Sequence, residues 1–111
     1  EVFSLFRIAE AYRKGDLLPQ NHSRAFKHYL RVISMHSGVT DRTIENAYIY
    51  SQSYYHIGYM RHYGIGIEKN LSKAVWGYNH SIMLNENSGV MAWYMMKLAQ
   101  LELENSKLFP L

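Results

Sequence analysis

The residues of this chain best suited to metal or acid–base chemistry are six histidines, His22, His28, His36, His56, His62 and His80. Two histidines on one helix hold a zinc ion when they stand four apart, as in HExxH, because that spacing brings both rings to one face. No two are so spaced; His56 and His62 are six apart and fall on different helix faces, so no metal site is expected. A nucleophile elbow of the form GxSxG and a phosphate loop are also missing from the sequence. Gly64-Ile65-Gly66 shares two glycines with a dinucleotide fingerprint, but it lacks the third and follows a helical pattern rather than a strand. No catalytic residue, no cofactor and no metal is expected, and the chain reads as a non-enzyme.

Tyrosine supplies the second chemically distinct set, with ten in 111 residues. Tyr48, Gln52, Tyr55, Tyr59 and His62 follow spacings of four, three, four and three, which places them on one helix face. Tyrosine joins a rigid apolar ring to a polar tip and is enriched where proteins bind one another. This stripe is therefore the candidate partner-binding surface, while Tyr50, Tyr54, Ile57, Gly58 and Arg61 share another face and are assigned to the core. A small-ligand or enzyme-accessory site between helices, lined by Met83, Met91, Met95 and Met96, is the alternative of another class, although methionine at helical spacing is usually core filler.

Three N-x-Ser sequons occur, at Asn21, Asn70 and Asn79. Asn21 and Asn70 are candidate N-glycosylation sites, which would put the chain in the secretory pathway. Both also stand where a helix begins, and asparagine is among the best N-caps; Asn79 falls in mid-helix.

The elements that must position these residues are helical. Val2 to about Lys14 has apolar spacing through Phe3, Phe6, Ala9 and Ala11 or Tyr12. After a turn over Gly15 to Gln20, a second helix runs from Asn21 to about Met35 and buries Ala25, Phe26, Tyr29, Val32 and Ile33. Ser37 to Thr40 breaks it and Asp41 is a cap for the next. Arg42 to Tyr63 contains no proline and one glycine, and reads as one long helix. A fourth runs from Asn70 to Leu84. A turn over Asn85 to Gly89 leads to a fifth, Val90 to Glu104, carrying Met91, Tyr94, Met95, Leu98, Leu101 and Leu103; Phe109-Pro110-Leu111 closes the chain. Five helices and no strand make the fold class all-α.

Two of these hairpins are copies. Shifting the chain by 49 residues lays Leu5–Ile33 on Tyr54–Ile82 without a gap. Ile8 then meets Ile57, Gly15 meets Gly64, Asn21 meets Asn70, Ala25 meets Ala74 and Tyr29 meets Tyr78. Self-similarity at such a period marks an α-solenoid, in which each unit buries its apolar face against its neighbours. The expected division is a single domain over 1–111, with repeat one at 2–36, repeat two at 42–84 and a closing helix at 88–105. Glu1 in place of an initiator methionine suggests a piece of a longer repeat protein. Net charge is only +3 and the basic residues are dispersed, so no nucleic-acid footprint is expected. Cysteine is absent and no stretch approaches the roughly 18 apolar residues of a membrane span.

Ile57-Gly58, Gly64-Ile65-Gly66-Ile67 and Lys73-Ala74 with Tyr78 resemble the Sel-1-like repeat, a helical hairpin related to the tetratricopeptide repeat. Ile8-Ala9, Tyr12, Gly15, Arg24-Ala25 and Tyr29 resemble it in the first copy. Leu17 stands where that pattern has its second glycine, and Arg61 where the second copy should have tyrosine. The resemblance implies a protein-binding scaffold or adaptor. Within the family, Ile57-Gly58-Tyr59-Met60 and the glycine turn after it are similar to the last repeats of the luminal adaptors of HRD-type ubiquitin-ligase complexes. That likeness implies a luminal subunit for endoplasmic-reticulum-associated degradation, with a parent chain anchored in the membrane. Its partners would be the ubiquitin ligase of that membrane, a substrate-recognition lectin and misfolded glycoproteins. The alternative is a scaffold of a cytosolic or bacterial signalling assembly.

Overall fold

The computed structural model describes residues 2–36, 43–85 and 89–108. Among them are five helices and no strand: α1 Val2–Lys14, α2 His22–Ser34, α3 Ile44–Tyr63, α4 Leu71–Leu84 and α5 Gly89–Leu108. The expected break at Ser37 to Thr40, the Asp41 cap, the turn residues 86–88 and the segment Phe109 to Leu111 lie outside the described residues. The cap of α3 is Thr43, whose hydroxyl accepts the Asn46 N–H at 3.2 Å.

The two hairpins close by the same bonds at equivalent positions. Asn21 and Asn70 cap α2 and α4, their side-chain oxygens accepting the Arg24 N–H at 3.0 Å and the Lys73 N–H at 2.9 Å. Their own backbone N–H groups donate back across the hairpin, to the Tyr12 carbonyl at 2.9 Å and the Arg61 carbonyl at 2.8 Å. The first helix of each pair ends on a left-handed residue, Gly15 at φ 74° and Gly64 at φ 68°, a conformation that a Cβ resists.

α1 and α2 enclose one core around Ala9, Ala25, Phe26 and Tyr29, which α3 extends with Ile49, Tyr50, Ile57 and Met60. A second, smaller cluster joins Ala74 and Tyr78 of α4 to Ala99 of α5, with Tyr55, Met95 and Met96 packed against it. The first turns of α3 take part in this packing, since Tyr50 is buried, donates to the Met35 carbonyl at 3.3 Å and packs its ring on His36.

Three expectations change. Phe3 is exposed, so α1 enters the core through Phe6, Ala9 and Ala11. α5 starts at Gly89 and runs on to Leu108, and it is buried through Ala92 and Ala99, leaving Met91, Tyr94 and Leu101 in solvent. The methionine-lined ligand site does not form: Met83 and Met91 are exposed while Met95 and Met96 pack in the second cluster.

α3 and α4 approach closely at two glycines. A Cβ on Gly77 would stand 2.9 Å from both the N and Cα of Gly58, and a Cβ on Gly58 would stand 2.9 Å from the Tyr78 ring. A turn further along α4, the Ser51 hydroxyl donates to the Ser81 carbonyl at 2.9 Å in the buried seam. Gly77→Ala sets a helix-propensity gain of about 1 kcal/mol against overpacking of roughly 1–3 kcal/mol. Backbone atoms cannot yield as a flexible side chain does, so the clash should win. Urea denaturation is expected to show a net loss of stability, and a gain would mean that the helices separate freely here.

Candidate functional site

The tyrosine stripe of α3 divides once it is placed in three dimensions. Tyr55 is half-buried, packing on Tyr78, and Tyr59 is 38% exposed. Gln52 is half-buried, and Tyr48 is exposed in a separate cleft beside Phe3 and Phe6. His62 leaves the stripe altogether. It is fully buried, with Nδ1 at 2.9 Å from the Tyr78 hydroxyl and Nε2 at 3.1 Å from the Glu102 carboxylate. The row continues instead through Tyr63, four residues after Tyr59, with ring centroids 6.2 Å apart between Tyr55 and Tyr59 and 4.8 Å between Tyr59 and Tyr63.

Tyr55 and Tyr59 form one wall of a cleft of about 350 Å³, completed by Met60, Ile65 and three basic side chains, Arg13, His22 and His56. Beneath it is a polar network that crosses the repeat boundary. The Tyr29 hydroxyl donates to Glu10 at 2.6 Å and accepts from Arg13 Nε at 2.9 Å, while another Arg13 nitrogen reaches Glu10 at 2.6 Å. His56, from α3, stacks on Tyr29 with ring centroids 5.1 Å apart and brings Nε2 to 3.5 Å from Glu10. His22 Nδ1 is buried without a hydrogen-bond partner among the described residues.

The charges follow from this packing. Burial, with Arg13 and Lys14 nearby, lowers the His56 pKa to about 4 against the pull of Glu10, so the ring is neutral near pH 7. Burial alone would raise Glu10, but the hydrogen bonds from Tyr29 and Arg13 outweigh it and hold the carboxyl below its usual range. Burial pushes the Tyr29 and Tyr78 hydroxyls up, keeping both as neutral phenols. The cleft thus carries aromatic surface, a guanidinium neutralised by its own glutamate and the neutral imidazole of His56. Such a lining suits peptide groups and apolar side chains and holds no activated nucleophile. Among the described residues there is no group of three His, Cys, Asp or Glu placed to hold a metal, and no helix long and apolar enough to cross a membrane.

Arg13 and His62 are equivalent under the 49-residue shift, and each bonds the hydroxyl of its own repeat's tyrosine. This correspondence joins the hairpin geometry to a family comparison. A model of the Sel1 repeat matches residues 2–35 and 51–76, more than half of the chain. The chain belongs to the Sel1 repeat family. Among curated proteins and among solved structures, no significant match is found. Sel1 repeats generally act as scaffolds that mediate protein–protein interaction, and Sel1 repeat proteins are generally non-catalytic.

Sequence spacing alone missed Arg13, His22 and His56 as cleft residues of this Sel1 pair, because they come from three helices and meet only after the repeats stack. Tyr63 was within reach, since four-residue spacing from Tyr59 selects it as readily as three-residue spacing selects His62. At the sequons, the caps engage the side-chain oxygens of Asn21 and Asn70, and Asn79 is exposed on α4.

The His56 environment predicts a pH dependence. A histidine with a folded pKa below its unfolded value binds fewer protons folded than unfolded between the two, so stability falls as pH drops through that window. Its folded value is about 4. With an unfolded value of about 6.5, going from about pH 7.5 to about pH 5 should remove about 2 kcal/mol. Glu10, with its pKa lowered, adds a loss of the same sign at still lower pH. His56→Gln should flatten most of the slope between the two pH values in urea unfolding; an unchanged slope would place its origin elsewhere.

Proposed function

We propose that this chain is a protein-binding adaptor module of the endoplasmic reticulum lumen, working in a ubiquitin-ligase complex that disposes of misfolded glycoproteins. The observation that carries the binding surface is the aromatic row Tyr55, Tyr59 and Tyr63 beside the cleft that Arg13, His22 and His56 complete. Tyr59 and Tyr63 keep about two fifths of their surface in solvent, although the Sel1 core is already filled without them. Tyrosines held in a row by their own helix have little rotamer freedom left to lose on binding, which makes them effective anchors.

The luminal assignment is supported by the hairpin Ile57-Gly58-Tyr59-Met60 with its turn Gly64-Ile65-Gly66-Ile67, and by the sequons at Asn21 and Asn70. A cap at either position uses the amide oxygen, and a glycan would be carried on the amide nitrogen, so capping and glycosylation are compatible. The ligase of that membrane is the proposed docking partner; a lectin and the misfolded glycoproteins it carries are the proposed clients.

Expression of the parent chain in cells with a microsomal preparation tests compartment and partner together. Residues 1–111 should be protected from added protease until the membrane is dissolved, and the ligase should co-precipitate. Tyr59→Ala should weaken that association by about 2 kcal/mol, the scale of an interface hot spot, with little change in melting temperature. Tyr55→Ala should also lower the melting temperature, because Tyr55 packs on Tyr78. Protease cleavage in intact microsomes would refute the luminal reading in favour of a cytosolic scaffold, and full binding by Tyr59→Ala would move the interface off this row.

A further inference from the structure

On the side of α3 turned away from Tyr55 and Tyr59, α2 and α4 flank a gap: no Cα pair between the two helices falls within 8 Å. The gap holds a cleft of about 470 Å³ lined by Phe26, Leu30, Ile57, Arg61, Lys73 and Trp76. Phe26 and Ile57 are buried at its floor, while Leu30 at 40% and Trp76 at 47% exposure present apolar surface to solvent. The Trp76 ring is held by contacts with Tyr54 and His80.

The formal charges on the two helices that flank this trough have one sign. Neither α2 nor α4 contains an aspartate or glutamate. Arg24, Lys27 and Arg31 form one stripe along α2 at three- and four-residue spacing, and Lys27 stands three residues before the lining residue Leu30 and next to Phe26. Lys73 stands on the α4 side. Arg61 projects from α3 with its guanidinium 5.1 Å from the Phe26 ring centroid and, among the described residues, donates only to the Glu68 backbone carbonyl, at 3.4 Å. Among the described residues every ion pair is made by Glu10 or Glu102, and none of these five cations takes part in one.

We propose that the α2–α4 groove binds an acidic amphipathic peptide segment of a partner protein. One or two bulky apolar side chains of that segment sit on Phe26, Leu30, Ile57 and Trp76, and its flanking carboxylates face Lys27, Arg61 and Lys73. Uncompensated cations beside an apolar floor attract a segment that carries both features and repel a basic one. A single strand of nucleic acid would meet one exposed aromatic ring here rather than the series of stacking platforms it needs. The proposal rests on the scaffold reading but uses a face of α3 that the tyrosine row does not share, so one chain can hold two partners at once.

Fluorescence anisotropy on the whole chain tests it. The probe is a labelled synthetic peptide of alternating Glu and Asp interrupted by one Phe and two Leu. Its controls are the same peptide with Gln and Asn replacing the acids, and an oligouridine of similar length. The acidic peptide should bind, the amide peptide should bind about tenfold more weakly, and K27E/K73E should lose about tenfold in affinity for the acidic peptide. Both substituted residues are exposed, so melting of the double variant should match the parent. Trp76→Ala should weaken both peptides, and Tyr59→Ala should leave peptide binding unchanged. Equal binding of the acidic and amide peptides, full binding by K27E/K73E, or tighter binding of oligouridine would overturn the proposal. Failure of the acidic peptide while Tyr59→Ala still releases the ligase would remove the groove and leave the adaptor reading standing; the converse result would do the opposite.

Discussion

A phenol can be buried between helices only if its hydroxyl finds a partner there, and both hairpins are arranged around that requirement. Tyr29 and Tyr78 are each wholly enclosed. Small residues make the room, Ala9 and Ala25 in the first pair and Gly58 and Ala74 in the second. An unpartnered buried hydroxyl costs roughly 1–3 kcal/mol, a large share of the stability of a small domain. The first repeat meets the need internally, with Arg13 and Glu10 from α1. The second places His62 at the corresponding point and recruits Glu102 from α5 to orient it. One ring nitrogen of His62 thus meets the phenol at 2.9 Å and the other meets the carboxylate at 3.1 Å. The same chemical demand therefore decides which helix docks on which.

α3 is the other organising element, because it is used on both sides. One side carries the tyrosine row and its cleft, and the other floors the gap between α2 and α4. The contrast comes from residues only two positions apart along the helix, Tyr55 and Tyr59 against Ile57 and Arg61. The repeat relation sharpens it further: Trp76 occupies the position that Lys27 holds in the first copy, so the two helices flanking the groove present different side chains at equivalent places.

What was legible in the sequence was what local rules govern. The Asn21 and Asn70 caps, the glycine stops at Gly15 and Gly64, and the buried positions of α2 all follow from side chains acting within a few residues of themselves. The substitution of Leu17 for a second glycine also has a local explanation. Gly66 nests on the start of α2, where a Cβ would stand 2.6 Å from the His22 carbonyl oxygen, whereas Leu17 is exposed. The placement of His62 was not legible, because the choice between residues 62 and 63 as the end of the stripe turns on Glu102, forty residues later. Nor was the Glu10–His56 contact, which exists only after one repeat has stacked on the next.

The two ways of anchoring the tyrosine give the array a direction. An opening fluctuation that lifts α5 away takes Glu102 with it and removes the carboxylate that orients His62. The first hairpin keeps Tyr29, Arg13 and Glu10 in place throughout, since all three belong to α1 and α2. In a solenoid, where each unit contacts only its neighbours, such openings propagate one unit at a time. Amide protons of α5 and α4 should therefore exchange with solvent as one cooperative unit, ahead of those of α1 and α2.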